Sequence, residues 1–409
     1  MRDSKRVSLR GGPLRFGAGR RSNLAFFPSF LLLVACGLFS LTIASRAMSS
    51  DVVPPSSHDP FYEYIAFAPS DQHGKLREAL ADAGENWREL GETFRNAREE
   101  EWPDIGYLIS EMPHLDRLEM TSTVLLEHVR EAQRARKESF AKALPESLYR
   151  EHLLTYRLDE EPCEAWRKPL RERFAPIVSK ARGPLEAAKL VNRWVAKNIK
   201  RCEPRYFGPE QSPRATLTRK KGTQAEIAVL TTAALRSIGL PCRMATLGGR
   251  DRDDPLYSWL EVYSAGVWAP LYPLDPGRFG KSPAEKFIPL VATSSGFKPI
   301  LVTGRYTQTG RVRLVLKEKG GRLSKFKGFS VSVITDGAFK PLDDLGSLFE
   351  DGELQTDSAG SFSCELGKGH YLAVAGKRDP DGNPSFVMKE FVVVPGPTTE
   401  VELDLAEKK

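Results

Sequence analysis

Residues 222–243 read GTQAEIAVLTTAALRSIGLPCR, and this stretch decides how the middle of the chain folds. Thr223 followed by Glu226 has the form of a capping box, in which a hydroxyl and a carboxylate satisfy N–H groups at a helix start. Gly239 ends the helix and Pro241 prevents its resumption. Between them runs an apolar stripe with the three- and four-residue steps of one helix face: Ile227, Leu230, Thr231, Ala234, Leu235 and Ile238. The stretch therefore predicts one buried helix with defined ends.

Three strand-like runs follow this helix and predict an antiparallel sheet packed against it. They span residues 243–247, 258–263 and 267–271, with a tight turn between the last two. A helix that leads into antiparallel strands is typical of the α+β class. Upstream of the helix, residues 208–221 are rich in Pro, Arg and Thr and are predicted to form a loop.

The flanking segments predict two further domains around a core at residues 161–296. Apolar residues from Leu76 to Phe94 step by three and four, and similar patterns continue, which predicts a helical domain over residues 61–160. Over residues 297–409, short apolar runs alternate with clusters of Gly, Asp and Pro, which predicts a small antiparallel β-sandwich. A chain of 409 residues is long enough for several domains.

The net charge of +7 belongs to the N-terminal tail. Residues 1–23 hold seven basic side chains against Asp3, Arg46 adds one more, and residues 48–409 are neutral overall. Nucleic acid is therefore not expected as a partner, because no folded region carries the excess of positive charge that such binding requires.

Residues 1–47 have the pattern of an export signal. The basic tail precedes an uncharged apolar run from Leu24 to Ala44, and small residues follow it. The run is long enough to cross a bilayer, so a retained membrane anchor is the alternative to a cleaved signal. Cys36 ends a Leu-Val-Ala-Cys sequence, which leaves lipidation at this cysteine open. In each case the chain is expected in the periplasm or at the cell surface, with residues 48–60 as a linker.

Four cysteines follow this segment: Cys163, Cys202, Cys242 and Cys364. Their even number in an oxidising compartment allows disulfides, with Cys163 and Cys202 as the first pair to test, but isolated core thiols are an equally simple reading. No CxxC or CxxH spacing occurs in the sequence, so neither a zinc site nor another metal or cofactor is expected.

The motifs of residues 222–276 resemble, in order and spacing, the core of the transglutaminase-like superfamily, which is related to papain. The helix ends in Arg-Ser-Ile-Gly-Leu-Pro-Cys-Arg at residues 236–243, a strand reading Trp-Leu-Glu-Val follows at 259–262, and Gly-Val-Trp stands at 266–268. A looser likeness extends over residues 61–409 to a bacterial envelope subgroup. That subgroup joins a helical N-terminal region to a C-terminal sandwich of the immunoglobulin-like or carboxypeptidase-regulatory-like kind.

The resemblance implies acyl transfer by a Cys-His-Asp set, but other residues occupy those positions here. The nucleophile position holds Gln224, and a carboxamide cannot form a thioester. The histidine position holds Tyr257, whose phenol, with an ordinary pKa of about 10, is a poor proton shuttle near neutral pH. The carboxylate position falls on Tyr272 or, in the envelope subgroup, on Asp275, which is alternatively a turn former before Pro276.

Three functions follow from these substitutions. The first is a pseudoenzyme whose former active-site groove binds a peptide, a protein or a glycan through Gln224, Tyr257, Trp259, Trp268 and Tyr272. The second is an active peptidase, amidase or transglutaminase with relocated catalytic residues. For that reading, Cys202 and Cys242 are the nearby thiols, and no histidine occurs between residues 153 and 369. The third is a purely structural role in envelope assembly.

Overall fold

The computed structural model describes residues 59–138, 140–203, 210–251, 254, 257–283, 287–319, 321–335, 337–348 and 353–406. The basic tail, the apolar run and Cys36 lie outside these ranges, so export and lipidation stay predictions. Membrane binding is a prediction that the structure contradicts. Within the ranges just given, no helix is both long enough and apolar enough to cross a bilayer.

Helices make up most of the described chain before residue 240. They are α1 (Tyr62–Ile65), α2 (His73–Asp82), α3 (Trp87–Arg95), α4 (Trp102–Glu111), α5 (His114–Glu119), α6 (Ser122–Lys137), α7 (Glu146–Tyr149), α8 (Arg167–Val178), α9 (Pro184–Asn198), α10 (Pro213–Arg219) and α11 (Gln224–Ser237). The helix predicted after the capping box is α11, which begins and ends close to its sequence signals.

One helix prediction and one loop prediction need correction. The apolar face from Leu76 to Phe94 is divided between α2 and α3, because a 3-10 turn at Gly84–Asn86 separates them. The side chain of Asn86 stabilises that break by donating to two carbonyl oxygens of the α5 segment, at 2.8 and 3.0 Å. The predicted loop at 208–221 contains α10, which starts because Ser212 caps it and Pro213 fits its first turn.

Strands make up most of the chain after residue 240. They are β1 (Lys200–Arg201), β2 (Lys221–Gly222), β3 (Cys242–Leu247), β4 (Ser258–Ser264), β5 (Val267–Leu271), β6 (Val291–Ser295), β7 (Lys298–Leu301), β8 (Thr309–Glu318), β9 (Gly321–Arg322), β10 (Phe329–Thr335), β11 (Ala338–Pro341), β12 (Ser361–Gly367), β13 (Gly369–Arg378), β14 (Pro384–Val393) and β15 (Thr399–Asp404). Helices predominate before residue 240 and strands predominate after it, so the fold is α+β, as predicted.

The core sheet is antiparallel, with the strand order β5-β4-β3-β6-β7. Strands β3, β4 and β5 are those predicted from the sequence. The hairpin of β6 and β7 extends the sheet and crosses the predicted domain boundary at residue 296. One face of β4 contributes Leu260 and Val262 to an apolar cluster with Ile227 and Leu230 of α11. The opposite face of the sheet carries Trp259 in a second, smaller cluster.

The C-terminal region contains two sheets around one apolar cluster. One has the order β11-β10-β13-β14, and the other has the order β12-β8-β15 with β9 paired to β8. The prediction of a purely antiparallel sandwich is wrong in one detail, because β15 runs parallel to β8. The chain crosses between the two sheets after β14 instead of turning back as a hairpin, so an antiparallel pairing is not imposed.

The arginine that ends the helix motif, Arg236, connects three parts of the fold. Its side chain is buried and donates to the carbonyl oxygen of Cys242 at 2.8 Å and to that of Thr155 at 2.7 Å. The first bond shapes the turn into β3, and the second reaches the helical region. Gly239 lies in the same turn with φ +85°, and a Cβ built on it would lie 2.7 Å from the carbonyl oxygen of Ala135 in α6.

We expect Gly239→Ala to lower the free energy of unfolding by about 2–4 kcal/mol, because it combines a left-handed backbone with a steric clash. The matched control is Gly266→Ala in the turn between β4 and β5, where φ is +86° and nothing lies within 4 Å of the added Cβ. That variant should lose only about 1–2 kcal/mol. Urea unfolding of both variants measures the difference. Equal losses would show that the clash with α6 is relieved without cost.

Candidate functional site

A cavity of about 210 Å³ lies at the N-terminus of α11. Its walls comprise Arg201, Gln224, Ala228 and Ser258 together with five residues of the segment 272–278 that follows β5. Each wall is positioned by local structure. The parallel pair of β1 and β2 sets Arg201 beside Gly222, and Ser258 is the first residue of β4.

The start of α11 is fixed by the predicted capping box. The Thr223 hydroxyl accepts from the Glu226 N–H at 3.2 Å, and the Glu226 carboxylate accepts from the Thr223 N–H at 2.9 Å. Glu226 also accepts from the backbone and side chain of Gln211, at 2.8 and 2.7 Å. This buried carboxylate therefore holds the helix start and the preceding segment together.

Gln224, at the predicted nucleophile position, is the first residue of α11 and is half-buried. Its side-chain amide donates to the carbonyl oxygen of Asp254 at 3.3 Å. The same carbonyl accepts from the Tyr257 N–H at 2.9 Å. The helix start is the position where the family has a reactive thiol. In this chain a side-chain amide occupies that position and contacts the loop that leads into β4.

Tyr272, one of the two residues predicted at the carboxylate position, forms a wall of the cavity and is 8% exposed. Burial raises the pKa of its phenol to about 12, so the hydroxyl is protonated at neutral pH. That hydroxyl donates to the carbonyl oxygen of Lys281 at 3.0 Å, and Asn192 of α9 donates to the Tyr272 carbonyl at 3.0 Å. The guanidinium of Arg278 lies 4.2 Å from the ring centroid.

Asp275, the other residue predicted at that position, also lines the cavity. Its carboxylate accepts from the Gly277 N–H at 3.2 Å and caps the short 3-10 helix Pro276–Arg278. The side chain therefore acts as a turn former, which is the alternative role given by the sequence.

Three of the predicted site residues are not among the residues described as lining the cavity. Tyr257 is half-buried and immediately precedes Ser258, and it is Ser258 that lines the cavity. Trp259 is 1% exposed and donates to the hydroxyl of Tyr306 at 2.9 Å. Trp268 packs against Arg243, Tyr263 and His152. Side chains alternate along a strand, so Trp259 points to the face opposite Ser258.

A histidine from the helical region, His152, packs against the core sheet, which the sequence did not indicate. Its ring centroid lies 4.7 Å from that of Trp268. Burial, together with the nearby charges of Arg236 and Arg243, lowers the pKa of His152 to about 2. The imidazole is therefore neutral at physiological pH and is not among the described lining residues of the cavity.

The described cysteines are all free thiols, so the disulfide considered for Cys163 and Cys202 is absent. Burial raises the pKa of Cys242 to about 12, which makes this thiol unreactive at neutral pH. Cys202 is half-buried and lies close to the start of α11, because its N–H donates to the carbonyl oxygen of Gly222 at 2.9 Å.

One group of metal-ligand side chains occurs in the ranges that the structure describes. Asp116, Glu119 and Cys163 place ligand atoms within 4.8 Å of one another. Arg157 donates to Asp116, at 3.1 Å from its Nε, and to Cys163 at 2.8 Å, and Tyr156 donates to Asp116 at 2.8 Å. These donors already occupy the Asp116 oxygen and the Cys163 sulfur, two of the three ligands that a metal would need.

Two solved structures show a distant likeness, and the chain spans about half the length of each. A candidate cysteine protease from Cytophaga hutchinsonii is 14% identical with a TM-score of 0.26, covering 35% of this chain and 47% of that one. A candidate protease from Parabacteroides distasonis is 13% identical with a TM-score of 0.27, covering 67% and 53%.

A comparison with curated proteins found no match. The family model described as the transglutaminase-like superfamily matches residues 171–273. This range includes α11, the core strands β3 to β5 and the positions of Gln224, Tyr257 and Tyr272. Residues 171–273 of this chain are therefore a domain of the transglutaminase-like superfamily.

Proposed function

We propose that the cavity at the start of α11 binds a peptide segment without cleaving it. The observation that carries this proposal is the chemistry of the walls. Neither a cysteine nor a histidine is among the described residues that line the cavity, whereas Gln224, Ser258 and Tyr272 offer polar groups there. The family's chemistry acts on amides, so the retained cavity is suited to the same class of molecule after the nucleophile is lost.

An enzyme with a relocated nucleophile is the competing proposal, and the position of Cys202 favours it. Cys202 follows Arg201, which lines the cavity. The Cys202 N–H donates a hydrogen bond to the carbonyl oxygen of Gly222, two residues before Gln224. A cysteine nucleophile, however, needs a base within hydrogen-bonding reach. The cavity walls described above contain no imidazole, so peptide binding without cleavage is the better-supported function.

The test is the binding of a fluorescein-labelled mixture of random-sequence tetrapeptides with free C-termini to the purified chain, followed by fluorescence anisotropy. We expect saturable binding and full recovery of intact peptide by mass spectrometry. Leu274→Ala should weaken binding about fivefold, on the order of 1 kcal/mol, because the removed side chain lines the cavity. The matched control is Leu185→Ala on α9, since Leu274 and Leu185 are 37% and 38% exposed.

Three results would contradict the proposal. The first is equal weakening by the two leucine variants, which would place the peptides elsewhere on the surface. The second is cleavage that is abolished by iodoacetamide or by Cys202→Ser, which would establish a relocated nucleophile. The third is binding of a chitin-type oligosaccharide in place of peptides, which would make the ligand a glycan.

We also infer that the chain is exported, and the support for this is the sequence of residues 1–47 alone. Recovery of the chain from the cytoplasmic fraction of its own cells would contradict export.

A further inference from the structure

Arg278 carries a nitrogen that lacks a partner inside the cavity wall. Its Nη2 atom is buried and has no hydrogen-bond partner among the described residues. A buried donor that gains no bond in exchange for its lost water costs free energy, and the cost is larger for a charged group. The guanidinium is nevertheless held in place, because it stacks on the Tyr272 ring at 4.2 Å, and the backbone of Arg278 is fixed as the last residue of the 3-10 helix Pro276–Arg278.

The charges around this nitrogen favour an anionic group. Arg201 is a second guanidinium in the walls, and Asp275 is the acidic group there. The Asp275 carboxylate accepts from the Gly277 N–H, and no ion pair joins it to Arg278, both of which are described residues. The start of α11 adds the partial positive charge of a helix N-terminus. No acidic group within the described walls thus forms an ion pair with Arg278.

The size of the cavity restricts what can carry that anion. At about 210 Å³ it is smaller than the roughly 300–1,000 Å³ of pockets that enclose whole small molecules. It therefore has room for one end or one side chain of a longer ligand. A guanidinium donates through two parallel N–H groups, a geometry that matches a carboxylate.

We propose that Arg278 recognises a carboxylate of the bound peptide, at its C-terminus or on a side chain. This inference rests on the proposed function, because it names the group of the peptide that the cavity accepts. Nη2 would donate to the carboxylate, Tyr272 would keep the guanidinium oriented, and the apolar wall at Leu274 would contact the preceding residue. Arg278 is thus a specificity-determining residue that does no chemistry.

The experiment compares three fluorescein-labelled tetrapeptide mixtures on the full chain: free C-termini, C-terminal carboxamides, and carboxamides with glutamate fixed at the third position. We expect the free acids to bind about tenfold tighter than the carboxamides, the effect of one charge-assisted hydrogen bond. The preference should vanish in Arg278→Gln and persist in part in Arg278→Lys, which keeps the charge without the fork. Arg193→Gln, on the exposed side of α9, is the control that should keep the full preference.

The outcomes separate this inference from the proposed function. Tight binding of the glutamate mixture supports the inference and assigns the recognised carboxylate to a side chain. Equal binding of all three mixtures to the unaltered chain overturns the inference but leaves peptide binding intact. A preference that survives in Arg278→Gln also overturns it. If none of the mixtures binds, both the inference and the proposed function are wrong.

Discussion

Replacement of Glu261 by glutamine is expected to lower the free energy of unfolding by about 3–5 kcal/mol, because it leaves the buried guanidinium of Arg243 without a counter-charge. Glu261 is fully buried beneath the core sheet and accepts from Arg243 at 2.7 Å and from Arg305 at 2.9–3.0 Å. Tyr306 donates to the same carboxylate and accepts from Trp259, so the network joins β3, β4 and the segment after β7. Urea unfolding measures the loss.

The matched control for this variant is Glu390→Gln on β14. Glu390 is exposed, and surface substitutions of this kind usually change stability by less than about 0.5 kcal/mol. Arg305→Gln should lie between the two, because Glu261 keeps its ion pair with Arg243 and the removed guanidinium was already 32% exposed. A Glu261→Gln variant as stable as the control would show that water reaches the network and compensates for the missing charge.

A loss of stability on mild acidification is the second large expected effect, and it comes from His152. In the unfolded chain its pKa is about 6.5, and in the fold burial lowers the pKa to about 2. Above pH 6.5 the imidazole is neutral in both states, so its contribution to stability is fully present there. As the pH falls from 6.5 towards 2, only the unfolded chain takes up the proton. Stability should therefore fall by about 1.4 kcal/mol per pH unit, or about 2 kcal/mol by pH 5.

The measurement is the free energy of unfolding at pH 7.5 and pH 5.0. We expect His152→Gln to show a difference between the two pH values that is smaller than in the unaltered chain by about 2 kcal/mol. The remaining acid sensitivity has a known source, because burial and Arg167 also lower the pKa of His128. His370→Gln, at an exposed histidine on β13, should leave the pH dependence unchanged. An unaltered pH dependence in His152→Gln would mean that the imidazole becomes hydrated in the fold.

The elements that the sequence predicted well are those whose signals are local. The start of α11 depends on residues three positions apart, and its end depends on Gly239 and Pro241, so both can be read without knowledge of the rest of the fold. Strands β3, β4 and β5 also follow from short runs. The prediction of a loop at 208–221 was wrong because it relied on the content of Pro, Arg and Thr. The Ser212-Pro213 pair is a local signal for a helix start and would have indicated α10.

The candidate site was predictable only in part. Gln224, Tyr272 and Asp275 line one cavity, and they come from the helix start and the segment after β5. The two tryptophans were expected in the same groove, but motif spacing does not say which face of a strand a residue occupies. Arg278 lies beyond the end of the matched residues and carried no motif that would single it out.

The sequence by itself determined the class of the core, the boundaries of its main helix and the presence of Gln224 at the position where the family motif has its nucleophile. These properties depend on residue identity and on spacing along one segment. Only the tertiary structure decided the partners of distant residues: His152 against Trp268, Arg236 against Thr155, and the guanidinium of Arg278 over Tyr272. Such contacts depend on strand register and on the packing of helices against a sheet, and both are set by the whole chain and not by any single stretch.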